Sequence, residues 1–476
     1  MTNPEQVVTG RTSRVVVLAV ICLAQLMTTL DSTIVSVALP SIQESVGLTD
    51  AGRQWAVTAY TLAFGGLLLV SGRLGDLTGR KRAMLIGVTG FAVASAIGGA
   101  AVNPTMLIAA RALQGAFAAL IAPAALSLIS TTFTEAKDRA RAFGVFAAAG
   151  MSGAALGLVT GGVLTNYLGW RWCLYVNIPI ALVVVVGGVF AVPAPPRHPD
   201  AKLDVTGAVL CSAGMVALIY GLGEAASYGW DSGVIIAALA LAVVLLTAFV
   251  RVQAKSPNPL LPLGVLANRN SGTAFLAMSI SAFSTYGMLI GMTYQLQVVM
   301  GYTPLKTGLA FLAYVLTAVT FSTQVATKLV RVMKPGTMVA IGLGAFAVAL
   351  LYLLRLTPSS SYLVDVFPSL ILFGCGVGML TVPAMTTAMS SIDPKYSGVV
   401  SALVGASQQA GGSIGAALLN TISISAAGTY LLANPGADSD ASVHGFVTAS
   451  VWSAAIAVAG AVVVKLAITV DTRKKA

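Results

Sequence analysis

Apolar runs of about twenty residues recur along the whole chain, each broken by a short polar or glycine-containing stretch. A bilayer core roughly 30 Å thick needs about 20 apolar residues to cross as a helix, so this period predicts membrane-spanning helices. Barrel strands would alternate every second residue over about ten residues, and these runs do not. Helices also satisfy their own backbone groups, which lipid requires. The pattern predicts fourteen spans, near 14–38, 54–72, 83–101, 105–129, 142–164, 173–193, 205–223, 231–250, 272–298, 307–328, 336–354, 363–388, 398–425 and 446–470. The first run is far too long for a signal-peptide core and carries Asp31, so it reads as a retained span.

Composition agrees: of 476 residues, 57 % are apolar and 9 % charged, with a mean hydropathy of +0.88. A soluble domain carries about 25 % charged residues, which excludes a soluble enzyme, a coiled coil, a disordered chain and a disulfide scaffold. The net charge of +11 raises nucleic acid as a partner, but the positions of the charges answer it. With the N-terminus inside, only Arg53, Arg171, Lys306 and Arg355 fall outside, Arg111 lies in a span, and every other Lys and Arg is cytoplasmic. That asymmetry is the positive-inside rule; it places both termini in the cytoplasm and leaves no need for nucleic acid. Cys22, Cys173, Cys211 and Cys375 are too scattered for a CxxC pair and read as small buried hydrophobes. His198 and His444 fall in predicted loops, so no metal or catalytic cluster is visible.

An offset of 254 residues superposes Gly47, Thr49, Ala56 and Tyr60 on Gly301, Thr303, Ala310 and Tyr314, and Gly144, Gly157 and Gly161 on Gly398, Gly411 and Gly415. The shared offset predicts two six-helix bundles, residues 14–193 and 271–470, with two inserted helices and their linkers in 194–270. Residues 1–13 and 471–476 remain as cytoplasmic ends. Repeated bundles with a site between them are the architecture of rocking secondary transporters. The inserted pair has no charge in its apolar interior and is expected to be peripheral and lipid-facing.

Asp31 is the one acidic residue well inside a span, and an aspartate there costs about 2.5–3.5 kcal/mol on insertion scales. Arg111, with Gln114 one turn on, is the opposite charge in the same half, so the two are expected to pair. Desolvation pushes a buried carboxylate toward protonation and a guanidinium pushes it toward ionisation; a carboxylate that changes partners can therefore carry a proton. The plainer alternative puts Asp31 at the outer end of its helix, in reach of water. Gln25, Thr28, Thr29, Ser32 and Ser36 form a polar stripe at helical spacing, either cavity lining or interhelical glue. Gln114 of the fourth helix is a further cavity-wall position, and Tyr286, Thr293, Tyr294 and Gln297, with Gln408 and Gln409, are the comparable positions in the second half. The stretch GRLGDLTGRK, Gly72 to Lys81, is expected to form a tight cytoplasmic loop. Its Asp76, Arg80 and Lys81 would latch the inner gate across the bundles, with Asp76 near the thirteenth helix; a purely topogenic loop accounts for the basic residues alone. Gly153, Gly157, Gly161 and Gly162 let helices approach closely.

Together these segments resemble the major facilitator superfamily, and within it the fourteen-spanner drug/proton antiporter branch. GRLGDLTGRK looks like the superfamily's loop signature, with Gly72, Asp76, Gly79, Arg80 and Lys81 on its positions. LIAARALQG looks like its fourth-helix motif, whose arginine is Arg111. LDSTIVSVALP, WRWCLYVNIP and GYTPLKTG are similar to branch motifs, Asp31 falling on the first-helix acid. The glycines from Gly153 to Gly162 resemble the exporter motif, except that Leu158 stands where proline is usual. The resemblance implies an all-α integral membrane carrier of the cytoplasmic membrane, not an enzyme, exporting amphipathic drugs or antibiotics against protons. It implies no cofactor and no metal, only the proton gradient, and a functional monomer. An exporter of an endogenous metabolite or siderophore, or a proton-coupled importer, would use the same parts.

Overall fold

The computed structural model describes residues 11–133, 135–193, 204–256, 259–261, 263–330, 332–390 and 397–469. Their long helices are α1 (Arg11–Val46), α2 (Asp50–Thr78), α3 (Arg80–Gly99), α4 (Pro104–Thr132), α5 (Ala136–Tyr167), α6 (Trp172–Ala191) and α7 (Val205–Tyr228). After these come α8 (Gly233–Lys255), α9 (Arg269–Val299), α10 (Pro304–Ala326), α11 (Pro335–Tyr352), α12 (Tyr362–Met389), α13 (Ser397–Ala433) and α14 (Asp438–Ala467). Twelve of them are long and apolar enough to cross a membrane, against the fourteen expected. The others are α2, whose apolar stretch Trp55–Leu68 is shorter, and α5.

The turns that separate the helices are written locally. Gly47 and Gly301 both adopt positive φ, +72° and +67°, a region that costs glycine little. Two residues on, Thr49 accepts from the Gly52 amide at 3.0 Å and Thr303 from the Lys306 amide at 3.2 Å, so each caps the helix that follows. The 254-residue repeat is thus a repeated turn and cap. Asn103 caps α4 and Asp204 caps α7 in the same manner.

Gly72 to Thr78, expected as loop, instead continue α2, and the reversal is made at Gly79 alone, at φ +94°. One residue free to adopt positive φ suffices where neither helix needs a longer connection. His444, also expected in a loop, lies within α14 with its ring 5.0 Å from that of Tyr430; His198 lies outside the described residues. The four cysteines are free, Cys173 buried and the others half-buried.

Helices α1 to α6 share two apolar clusters, around Phe91 and around Leu39, and α9 to α14 share a third around Phe346 and Phe373. Glycines set the spacing. A Cβ on Gly153 would sit 2.2 Å from Thr29 Oγ1, and one on Gly157 would sit 2.1 Å from Thr33 Oγ1, so α1 and α5 meet nearly backbone to backbone. In the second half, Gly411 and Gly415 of α13 face the Ser279 and Phe283 carbonyls of α9 in the same way. Between the halves, α5 and α10 touch through Gly162 on the Pro304 carbonyl and Gly308 on the Leu158 carbonyl.

The inserted helices differ from expectation. α8 does present Ile236, Leu241, Val243 and Val244 outward. α7, however, lies across the seam between α2 and α13. Trp55 Nε1 donates to Glu224 Oε1 at 2.6 Å, Ser212 Oγ to the Gly66 carbonyl at 2.7 Å, and Thr421 Oγ1 to the Leu222 carbonyl at 2.8 Å. The ties use backbone acceptors and a terminal glutamate, which an apolar pattern does not display.

Candidate functional site

The site begins with a close approach of α2 and α4. A Cβ on Gly115 would fall 2.1 Å from the Tyr60 carbonyl, so only glycine lets these backbones meet. That contact brings Arg111 Nε to the Ala56 carbonyl at 3.0 Å and its guanidinium 4.6 Å from the centre of the Tyr60 ring. Arg111 Nη1 then donates to Asp31 Oδ2 at 2.6 Å and to Gln114 Oε1 at 2.8 Å. Both charged side chains are closed off, at 1 % and 0 % exposure. A Cβ on Gly98 or Gly99 would likewise press on Leu174 or Tyr175, and this packing seats the start of α6 on α3. Asn177 Nδ2 there donates to Asp31 Oδ1 at 2.7 Å and to Ser95 Oγ at 3.3 Å. Gln114 Nε2 completes the set, donating to Asp31 Oδ1 at 3.0 Å and to Ser95 Oγ at 2.7 Å.

Asp31 therefore accepts from a guanidinium and two amides in a site sealed by α1, α2, α3, α4 and α6. Such a pair is costly to form and more costly to break, because the survivor is a buried charge without its partner. Asn177, Ser95 and Tyr60 were not among the expected site residues. An asparagine opening the apolar run IPIALVVVV was the visible signal for the first; lone serines and tyrosines are too common in spans to single out the others.

The expected cavity stripe divides. Thr28 and Thr29 donate back to the Gln25 carbonyl at 2.9 and 3.0 Å, and Ser32 to the Thr29 carbonyl at 2.8 Å. Gln25 lies against Gly150, Thr29 against Gly153, and Ser36 is buried. Ser32 also faces Tyr286 of α9 across the seam. Gln114 is fully buried in the Asp31 network, not on a cavity wall. Thr293 is buried too and donates to the Leu289 carbonyl at 2.7 Å. Gln409 packs on Gly65 of α2, while Gln408 is half-buried beside it.

At the end of the molecule that carries the α1–α2 turn, polar contacts cross between the halves. Arg53 Nη2 donates to Asn420 Oδ1 at 3.0 Å and stacks 4.2 Å above the Tyr294 ring. The Tyr294 hydroxyl donates to Gln43, and Gln297 Nε2 to the Val37 carbonyl at 2.9 Å. At the opposite end, Lys81 Nζ donates to the Val189 carbonyl of α6 at 2.8 Å. That bond stays within the first half instead of reaching the second, because the single-glycine turn at Gly79 starts α3 beside the end of α6. Arg80 is half-buried, and Gly72 and Gly79 lie in and after the last turns of α2. The Asp76 side chain and residues 391–396 lie outside the described residues, and with them the expected contact to α13.

A family model described as Major Facilitator Superfamily matches residues 21–416. The puromycin resistance protein pur8 of Streptomyces alboniger is 43 % identical over 465 residues, covering 96 % of this chain and 92 % of that protein. The cephamycin export protein CmcT of Amycolatopsis lactamdurans is 35 % identical, covering 87 % of each. Among solved structures, a bacterial homologue of the human lysosomal transporter Spinster, inward-facing and unoccupied, superposes with a TM-score of 0.65 at 17 % identity, covering 96 % of this chain and 98 % of that one.

Proposed function

Because the chain belongs to the major facilitator superfamily, a family of transporters and not of enzymes, we propose that it exports amphipathic drugs or antibiotics across the cytoplasmic membrane in exchange for protons. The observation that carries the reading is the sealed Asp31–Arg111 pair, an intramembrane charge pair with three donors on one carboxylate. Protonation of Asp31 turns one acceptor oxygen into a hydroxyl and takes away Arg111's counter-charge. Arg111 keeps the Ala56 carbonyl, Gln114 and the Tyr60 ring, so the link that weakens is the one from α4 to α1. The next residue of α1, Ser32, about 100° round the helix, faces Tyr286 of the second half, which links the proton to the seam between the bundles.

In this cycle Asp31 is protonated from outside and the carrier turns inward. It then loses its proton to the cytoplasm and takes substrate for the outward stroke. The Arg53–Asn420 and Tyr294–Gln43 contacts close the outer end; Gly72, Asp76, Gly79, Arg80 and Lys81 form the inner gate. The chain crosses fourteen times, α2 and α5 being the crossings beyond the twelve long apolar helices, with both termini cytoplasmic and the monomer as the working unit. Gln25, Ser32, Tyr286, Gln408 and Gln409 line the path for substrate. One deep carboxylate favours neutral, zwitterionic, anionic or weakly basic hydrophobic compounds over dications.

The deciding experiment uses inside-out vesicles, acid inside, carrying wild type or Asp31→Asn, with puromycin as the first compound. Proton release on adding it is expected from wild type and absent from Asp31→Asn. Release from both places the proton elsewhere, and silence from both removes puromycin-like antibiotics from the substrate class.

A further inference from the structure

Away from the Asp31 network, at the end that carries the α1–α2 turn, a cavity of about 610 Å³ opens between α9, α13 and α14. Its volume lies in the range of drug-sized sites, roughly 300–1,000 Å³. Apolar side chains such as Leu419 and Phe446 form its walls. Gln295 also lines it, at 2 % exposure, and its amide nitrogen has no hydrogen-bond partner among the described residues. A buried donor left without an acceptor is costly, and Gln295 opens the π turn Gln295–Val299, a geometry that recurs at functional sites. At the mouth stand the exposed carboxylates of Glu44 and Asp438. Among the described lining residues the one cation, Arg53, is engaged with Asn420 and the Tyr294 ring.

We propose that this cavity is a second small-molecule site, for a singly cationic amphiphile whose carbonyl accepts from Gln295 and whose charge faces Glu44 and Asp438. The apolar body fills the α9–α13–α14 cleft. Because Arg53, Tyr294, Asn420 and Gln43 belong both to its wall and to the contacts joining the halves, an occupant acts on that joint directly. The site goes beyond the export reading and stands whether or not Asp31 carries the proton.

The test measures binding of rhodamine 6G, a monocation with an ester carbonyl, to the full-length protein in lipid nanodiscs by fluorescence anisotropy, with protein-free nanodiscs as the baseline. Gln295→Leu is expected to weaken binding about five- to tenfold, the size of one net hydrogen bond. A Cβ at Gly428, on the wall, meets nothing within 4 Å, so Gly428→Phe places a large side chain at the cavity without a clash at its Cβ and is expected to weaken saturable binding. Glu44→Gln should weaken rhodamine 6G but not neutral Nile red. Wild-type affinity in Gln295→Leu or Gly428→Phe overturns the site. Equal loss of both dyes in Glu44→Gln overturns the charge assignment. No saturable binding above the baseline overturns the proposal outright.

Discussion

At Asp31 and Arg111 each charge is tolerated among the helices because the other lies 2.6 Å away. Arg111→Leu should therefore destabilise the protein by about 3–5 kcal/mol, the usual effect of stranding one member of a buried pair. Adding Asp31→Asn to it removes the stranded charge and should recover most of that loss, while neither variant exports. Thermal unfolding in detergent checks the stability, and a double variant no more stable than Arg111→Leu would show that the pair is not the source. The two charges were legible because a formal charge inside an apolar run is conspicuous. Gln114 was read as cavity wall, since spacing tells which residues share a helix face but not what that face meets. Asn177, 146 positions from Asp31, reaches it only through the α3–α6 packing.

Along the helices, glycine marks where two backbones touch, and the contacts rank the substitutions. Gly157→Ala must push against Thr33 Oγ1 and the Leu30 carbonyl, and overpacking of this kind costs about 1–3 kcal/mol. Gly344→Ala on α11 meets nothing within 4 Å and should be neutral or stabilising by up to about 1 kcal/mol, since alanine favours helix over glycine. Melting temperatures of the purified variants test the contrast; equal losses would mean that helix approach is not what Gly157 provides. The small-residue spacing was readable from sequence, but which neighbour each glycine meets was not. Gly153 and Gly157 face α1, whereas Gly162, next to Gly161, faces α10 of the other half. The single-residue turn at Gly79 was likewise hidden, because the apolar pattern ends near Gly72 and the charges and glycines up to Thr78 read as loop although they continue the helix.

Over the whole molecule, the fourteen helical segments fall in the order that the apolar period predicts, and the 254-residue offset marks the repeated turn and cap at Gly47–Thr49 and Gly301–Thr303. The seat of α7 did not, because contacts between apolar helices leave no mark in hydropathy. Orientation is open to direct measurement. Single cysteines replacing Gly47 or the exposed Ser359 should react with an impermeant maleimide on intact cells. A cysteine at the exposed Thr78 should react only after permeabilisation. Labelling in the reverse pattern would invert the topology, and with it the direction of the proton through Asp31.

The α5–α10 contact has a mechanical consequence. At Gly162 on Pro304 and Gly308 on Leu158, main chain bears on main chain with no side chain between. Such a bearing has no rotamers to rearrange, so its two faces can roll on one another at little cost, whereas any bulkier residue at either glycine would jam it. It sits near one tip of α5, a helix of 32 residues and so about 48 Å long. The arm from Gly162 to the far tip at Ala136 is about 39 Å, so a tilt of about 10° around that fulcrum would carry the tip through roughly 7 Å, enough to widen a mouth of the carrier while the pivot itself barely moves.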